Sequence, residues 1–166
     1  SAEMRSTASA LPHNAMSNRR HFLQTAALSA FAAPNIVRAL DSKQKIRVAC
    51  VGIGNMGTGA VKGSLKEEIV AFCDVDWRDL DKRSAGAIAK EHPNVPKFTD
   101  FREMLDKKGS EIDAVLISTP DHTHFAAAMA AMQAKKHVFV QKPLAHNIWQ
   151  VRTLHKAAQK YGVQTV

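Results

Sequence analysis

Ile46-Arg47-Val48-Ala49-Cys50-Val51-Gly52-Ile53-Gly54-Asn55-Met56-Gly57 is the stretch on which the fold turns. Its first eight residues form a nearly continuous apolar run, as expected of a parallel strand buried on both faces. The run breaks into glycines spaced G-x-G-x-x-G, and Met56 to Leu65 is compatible with a helix. Each glycine has a physical task. Gly52 permits the tight turn, Gly54 lets a pyrophosphate approach the backbone, and Gly57 lets the helix pack close to the strand. Gly54, Asn55 and Met56 lead into the helix N-terminus, where free N–H groups and partial positive charge suit phosphate. A second apolar run, Ile69 to Cys73, ends on Asp74, 22 residues after Gly52. A carboxylate there is placed to accept both hydroxyls of an adenosine ribose. Strand, loop, helix, strand and acid in that order predict a dinucleotide site.

Asp74 also bears on which dinucleotide. A carboxylate at that position repels a 2′-phosphate, so NAD is expected over NADP, and Asp76 adds to the repulsion. Arg78 complicates the choice, since a guanidinium nearby stacks on adenine or accepts a phosphate.

Outward from this unit the alternation continues. Arg78 to Glu91 is expected as a charged helix, stopped before Pro93. Lys97-Phe98 is a minimal third strand, and Phe101 to Lys108 a helix closed by Gly109. Ala114 to Ser118 is a fourth strand, His124 to Ala134 an Ala- and Met-rich helix, and His137 to Gln141 a fifth strand. Ile148 to Tyr161 is a last helix, capped by Gly162, and Val163 to Val166 begins a sixth strand. The pattern predicts an α/β fold, a doubly wound parallel sheet of Rossmann type with right-handed crossovers. In strand order 3-2-1-4-5-6 the first and fourth strands flank the cleft.

Two further loops then reach that cleft. Ser118-Thr119-Pro120-Asp121-His122-Thr123-His124 follows the fourth strand. Thr119 or Asp121 is expected to cap the next helix, with a histidine orienting the turn and the loop touching the cofactor. His122 and His124 alone, without a third ligand, do not make a metal site. Gln141-Lys142-Pro143 ends the fifth strand on the same side. Lys142 either hydrogen-bonds a substrate hydroxyl and helps withdraw its proton, or is a solvated surface lysine.

Taken in series, Gly52-x-Gly54-x-x-Gly57, Asp74, Thr119-Pro120-x-x-x-His124 and Gln141-Lys142-Pro143-Leu144 resemble the Gfo/Idh/MocA oxidoreductases, over about residues 45–166. The resemblance implies NAD(P)-dependent hydride transfer at a sugar or polyol hydroxyl. It implies cofactor contacts from Gly52, Gly54, Asn55, Met56, Gly57, Asp74, Arg78, Thr119, Pro120, Asp121, His124, Gln141 and Lys142, with Lys142 also catalytic. The bond before Pro143 is often cis in that family. Two departures stand out. Gln141 replaces the usual Glu, removing a carboxylate that would tune Lys142. Lys135-Lys136-His137 replaces Gly-Lys-His, so that turn must form without glycine. The family also includes NAD-dependent glycosidases, which oxidise a sugar transiently, eliminate the aglycone and regenerate NAD. A non-catalytic nucleotide-binding module is a third reading. A methyltransferase is disfavoured, because Lys142-Pro143 has no role there. Family members carry a second domain that supplies substrate contacts, a catalytic histidine and the oligomer interface. The present sequence corresponds to the nucleotide domain, residues 43–166, reaching the start of strand six. Alone it is expected to bind NAD weakly and not to turn over.

The first 39 residues read as an address. Ser17-Asn18-Arg19-Arg20-His21-Phe22-Leu23-Gln24 is followed by an apolar stretch to Ala33 and by small residues around Pro34 and Ala39. A charged start, short apolar middle and small-residue end make a signal peptide. The paired arginines resemble the twin-arginine export signal, implying a periplasmic location, with Met16 as a plausible start. No apolar run approaches the ~18 residues of a membrane-spanning helix. The formal net charge is +8 over 166 residues. Outside the leader the basic residues scatter over amphipathic helices with few aromatics between them, which argues against nucleic acid as a partner. Cys50 and Cys73 lie inside the two strands and read as small buried hydrophobes, not as a redox or metal pair.

Overall fold

The computed structural model describes residues 44–166; the expected leader lies outside them. Five parallel strands are β1 (Arg47–Val51), β2 (Glu68–Cys73), β3 (Lys97–Phe98), β4 (Ala114–Ile117) and β5 (His137–Val140). They lie in the order β3-β2-β1-β4-β5, the order expected of the doubly wound sheet. The helices between and after them are α1 (Gly57–Gly63), α2 (Ala85–Glu91), α3 (Phe101–Lys108), α4 (Asp121–Gln133) and α5 (Ile148–Tyr161).

Alternation along the strands splits the core in two. Val48, Cys50 and Phe72 pack with Val61 of α1 and with Ala85 and Ile88 of α2. Ala49, Val51, Ala71 and Cys73 face the other way, toward Met104 of α3, Met132 of α4 and Leu154 of α5. Phe72 is fully buried, and a side chain of that size contributes roughly 1.5–3 kcal/mol by leaving water. Ala127, Ala128 and Ala131 are buried on α4; their short side chains let that helix lie close to the sheet. Both cysteines are buried, in opposite layers, and burial pushes each thiol up to about 12. They behave as the small hydrophobes the sequence indicates.

Four local expectations change. The helix expected from Arg78 begins only at Ala85. Asp76 and Asp81 each accept the backbone N–H two residues on, from Arg78 and Arg83, and Ser84 caps α2 through the Ala87 N–H. Such short-range side-chain bonds compete directly with helix formation. Gly109 does not end α3 in the left-handed conformation; its φ is −52°, and the chain runs on into a 3₁₀ turn, Gly109–Glu111. α4 starts at Asp121, three residues early, with Pro120 at the N-cap and no side-chain cap from Thr119 or Asp121. The sixth strand is present as a single parallel bridge, Val138 to Thr165.

Lys135 carries the turn before β5 with φ +58°, where glycine would be unstrained. Lys135→Gly is expected to stabilise the fold by about 0.5–1 kcal/mol, the relieved strain outweighing added unfolded-state freedom. Thermal and urea unfolding measure this, and a lower midpoint would contradict it.

Arg47, opening β1, grips Asp113 just ahead of β4. Its Nε donates to Oδ2 at 3.0 Å and its Nη2 to Oδ1 at 2.7 Å, while its backbone N–H also reaches Oδ2 at 3.0 Å. These bonds from Arg47 hold the Asp113 carboxyl below its ordinary range. A lowered native pKa means the stabilisation is complete above the unfolded value of about 3.9 and declines as pH falls through the native value. Arg47→Ala should therefore flatten the acid limb of a stability-against-pH curve, leaving its shape above pH 6 unchanged.

Candidate functional site

The turn from β1 into α1 is set by what its glycines lack. Gly52 has φ +75°, and a Cβ on it would lie 2.8 Å from Thr119. Gly57 lies against the same turn: its Cβ would fall 1.8 Å from the Gly52 carbonyl oxygen. Gly54 differs. Its Cβ would meet nothing nearer than the Ala85 nitrogen at 3.4 Å, so the protein itself would admit a methyl there. The small residue at 54 leaves a cradle that a Cβ would fill. Asn55 adopts φ +50°, a region asparagine tolerates better than most residues.

Asp74, at the end of β2, closes the turn from the side. Its Oδ2 accepts the backbone N–H groups of Ile53 at 2.9 Å and Gly54 at 3.2 Å, and its Oδ1 that of Asp76 at 3.1 Å. A carboxylate has about four acceptor sites; three are taken, leaving room for one further hydroxyl at Oδ1 where two were expected. The loop N–H groups are likewise not all free. That of Gly54 belongs to Asp74, and that of Asn55 donates to the Arg83 carbonyl at 2.6 Å.

A cavity of about 640 Å³ opens over this loop. Of the residues expected at the site, Gly52, Gly54, Asn55, Met56, Asp74, Arg78, Thr119 and Pro120 line it together. Ser118 lines it too, as the loop after β4 is expected to, and Asp81, Ser84, Thr99 and Phe101 line it without having been anticipated. These four follow the C-terminal ends of β2 and β3, and that position is the signal which would have found them. The cavity and the space that a Cβ would fill at Gly54 fit a bound dinucleotide.

Gly57, Asp121, His124, Gln141 and Lys142 do not line the cavity. Gly57 packs behind the loop, and Asp121 lies in the exposed first turn of α4. His124 is 1% exposed. Its Nε2 lies 2.7 Å from the Thr119 carbonyl oxygen and its Nδ1 2.8 Å from that of Pro143. The ring orients the turn, as expected, and in doing so joins the loops after β4 and β5; with both nitrogens on backbone carbonyls it does not face the cavity. Asp121 adds a looser tie, 3.8 Å from His146 Nδ1. Gln141 turns its side chain back, Oε1 accepting the Lys142 backbone N–H at 3.1 Å. Lys142 is exposed at the C-terminal end of β5, and the Lys142–Pro143 bond is cis. Among the described residues, no group of three His, Cys, Asp or Glu side chains is arranged to hold a metal ion.

Residues 46–166 match the family model described as an oxidoreductase family with an NAD-binding Rossmann fold. The chain belongs to the Gfo/Idh/MocA family. A glycosyl hydrolase family 109 protein of Shewanella pealeana is 31% identical, the match covering 86% of this chain and 38% of that protein. An inositol 2-dehydrogenase of Salmonella typhimurium is 27% identical, over 73% of this chain and 35% of that enzyme. Among solved structures, an inositol dehydrogenase homologue from Azotobacter vinelandii, complexed with NAD+, superposes with a TM-score of 0.62 at 26% identity. That likeness covers 74% of this chain and 33% of the other. The chain thus spans little more than a third of the length of these Gfo/Idh/MocA relatives, and it is their NAD-binding domain.

The two inner glycines should separate in experiment. Gly54→Ala is expected to leave the fold intact and weaken NAD binding at least ~10-fold, by filling the space a pyrophosphate needs. Gly57→Ala should instead cost several kcal/mol of stability through its backbone clash. Circular dichroism with calorimetric NAD titration checks both; normal NAD affinity in Gly54→Ala would refute the cradle.

Proposed function

We propose that this domain belongs to an enzyme that moves a hydride between NAD and a hydroxyl of a sugar or polyol. The observation carrying the reading is the cavity in which Gly54, Asp74 and the Thr119-Pro120 loop after β4 converge. The pyrophosphate would lie over Gly54 and accept the Met56 N–H, and Asp74 Oδ1 would take one ribose hydroxyl. A phosphate at the Asn55 N–H would replace the Arg83 carbonyl now there. NAD, when bound, supplies the hydride acceptor. Lys142 would hold the reacting hydroxyl and, as the neutral amine, take its proton at Nζ to become the ammonium. His124 would fix where Lys142 stands, by holding the Pro143 carbonyl against the Thr119 loop. Substrate contacts and any oligomer interface would come from further domains of the full-length protein. The leader around Arg19-Arg20 would send the folded protein through the twin-arginine route to the periplasm.

A glycosidase working by transient oxidation is the second reading. A specific observation favours it: a match covering 86% of the chain extends beyond residues 46–166, into the segment ahead of Ile46, whereas the inositol dehydrogenase match covers only 73%. Net redox change separates the two. With NAD and a panel of sugars and aryl glycosides, a dehydrogenase accumulates NADH, whereas a glycosidase releases aglycone with none. In either case Lys142→Met in the full-length protein should lower kcat by about 10²–10⁴-fold and leave NAD affinity within about 3-fold. Unchanged turnover would remove Lys142 from the mechanism, and absence of NAD binding would sink both readings.

A further inference from the structure

The cavity wall beyond Asp74 holds a feature that the glycine motif does not require. Among the described residues, Arg78 is the one Lys or Arg side chain on the cavity lining, and it shares that lining with Asp74, Asp76 and Asp81. Its guanidinium does not point at liberty into the cavity. Nε donates to Asp76 Oδ1 at 2.8 Å, Nη2 donates to Oδ2 at 2.6 Å, and the Arg78 backbone N–H donates to Oδ1 at 3.1 Å. Asp76 is in turn anchored to Asp74 by its own backbone N–H.

We propose that Asp76 is a specificity-determining latch: by pairing with the Nε–Nη2 edge of the Arg78 guanidinium, it holds that edge and offsets the cation's charge against a 2′-phosphate, and so makes the site select NAD. The proposal rests on the cavity being the NAD site and assigns a discriminating role within it. Asp74 alone disfavours a 2′-phosphate by charge. An arginine four residues further on, if unengaged, would offset that charge and present a two-pronged donor that suits phosphate. In the bidentate pair the Nε–Nη2 edge is already occupied by a carboxylate, whose negative charge also offsets that of the cation. The side chains of Arg78 and Asp76 are 72% and 42% exposed, and exposed pairs contribute little to stability, so the pair can be altered without unfolding the chain. Hydrogen bonds from Arg78 hold the Asp76 carboxyl down to about 2, so the latch remains ionised at any physiological pH.

Calorimetric titration of the full chain with NAD and with NADP tests this, using Asp76→Asn, Arg78→Ala and the double variant. Asparagine keeps the shape of the side chain and removes the charge that fixes Arg78. The wild type should prefer NAD. Asp76→Asn should tighten NADP binding about 10-fold or more while changing NAD affinity less than about 3-fold. Adding Arg78→Ala to Asp76→Asn should abolish the gain. No tightening in Asp76→Asn, with NAD still bound, overturns the latch and leaves the NAD site standing. A gain that survives in the double variant also overturns it, since loss of repulsion alone would then be the cause. Failure of the wild type to bind either dinucleotide would overturn both the latch and the NAD-dependent function.

Discussion

The backbone is so tightly enclosed at residues 52 and 57 that neither can carry a side chain as the chain now runs. A Cβ on Gly57 would lie 1.8 Å from the Gly52 carbonyl, and one on Gly52 2.8 Å from Thr119. That enclosure lets the chain leave β1, turn within a few residues and enter α1 against the loop it has just left. Everything on the cavity side follows from it. The turn presents Gly54 outward, brings Ile53 and Gly54 within reach of Asp74, and abuts the loop that follows β4. A bulkier residue at either position would push α1 off the sheet and open the loop at the same time. Fold and site are thus one constraint at this point of the chain.

Asp74 has a double part that motif reasoning understates. Read from spacing, it is a ribose ligand. In the structure it is first a structural acceptor, binding two N–H groups of the glycine loop and one from the segment that follows β2. These bonds would hold the loop in shape before any ligand arrives, and preorganisation of that kind reduces the ordering cost of binding. They also leave a single remaining acceptor position at Oδ1. A carboxylate at the end of β2 therefore couples loop geometry to ligand recognition, and replacing it would alter both.

The legible and illegible parts of the sequence divide along a physical line. The five-strand order and the βαβ unit at Ile46–Asp74 rest on hydrophobic runs and glycine spacing, which are local and strong. Residues 78–84 carry charge at helical spacing, yet Asp76, Asp81 and Ser84 give the backbone nearer partners, and the helix waits for Ala85. α4 was foreseen as a helix but not its start, because Pro120 takes the N-cap with a backbone fixed in φ and no capping side chain to reveal it. Gln141 illustrates the same limit from the other direction. Its difference from the common Glu is visible in the sequence, but its return to the Lys142 N–H depends on where β5 ends. Asp81, Ser84, Thr99 and Phe101 escaped notice because they belong to the cavity through topology alone.

The joining of the β4 and β5 loops explains how a short exposed segment can hold a lysine in a defined place. Lys142 has no side-chain partner of its own among the described residues. Its backbone is held on three sides: by the Gln141 N–H on Ile117 O, by Gln141 Oε1 on its own N–H, and through Pro143 O at His124 Nδ1. Because the other ring nitrogen of His124 meets the Thr119 carbonyl, any displacement of the loop that abuts Gly52 is transmitted to the peptide after Lys142. The cofactor cradle and the lysine, which lie on different strands and outside a common cavity, are linked through one buried imidazole. A side chain with no view of the ligand thereby sets the distance between the two halves of the proposed chemistry.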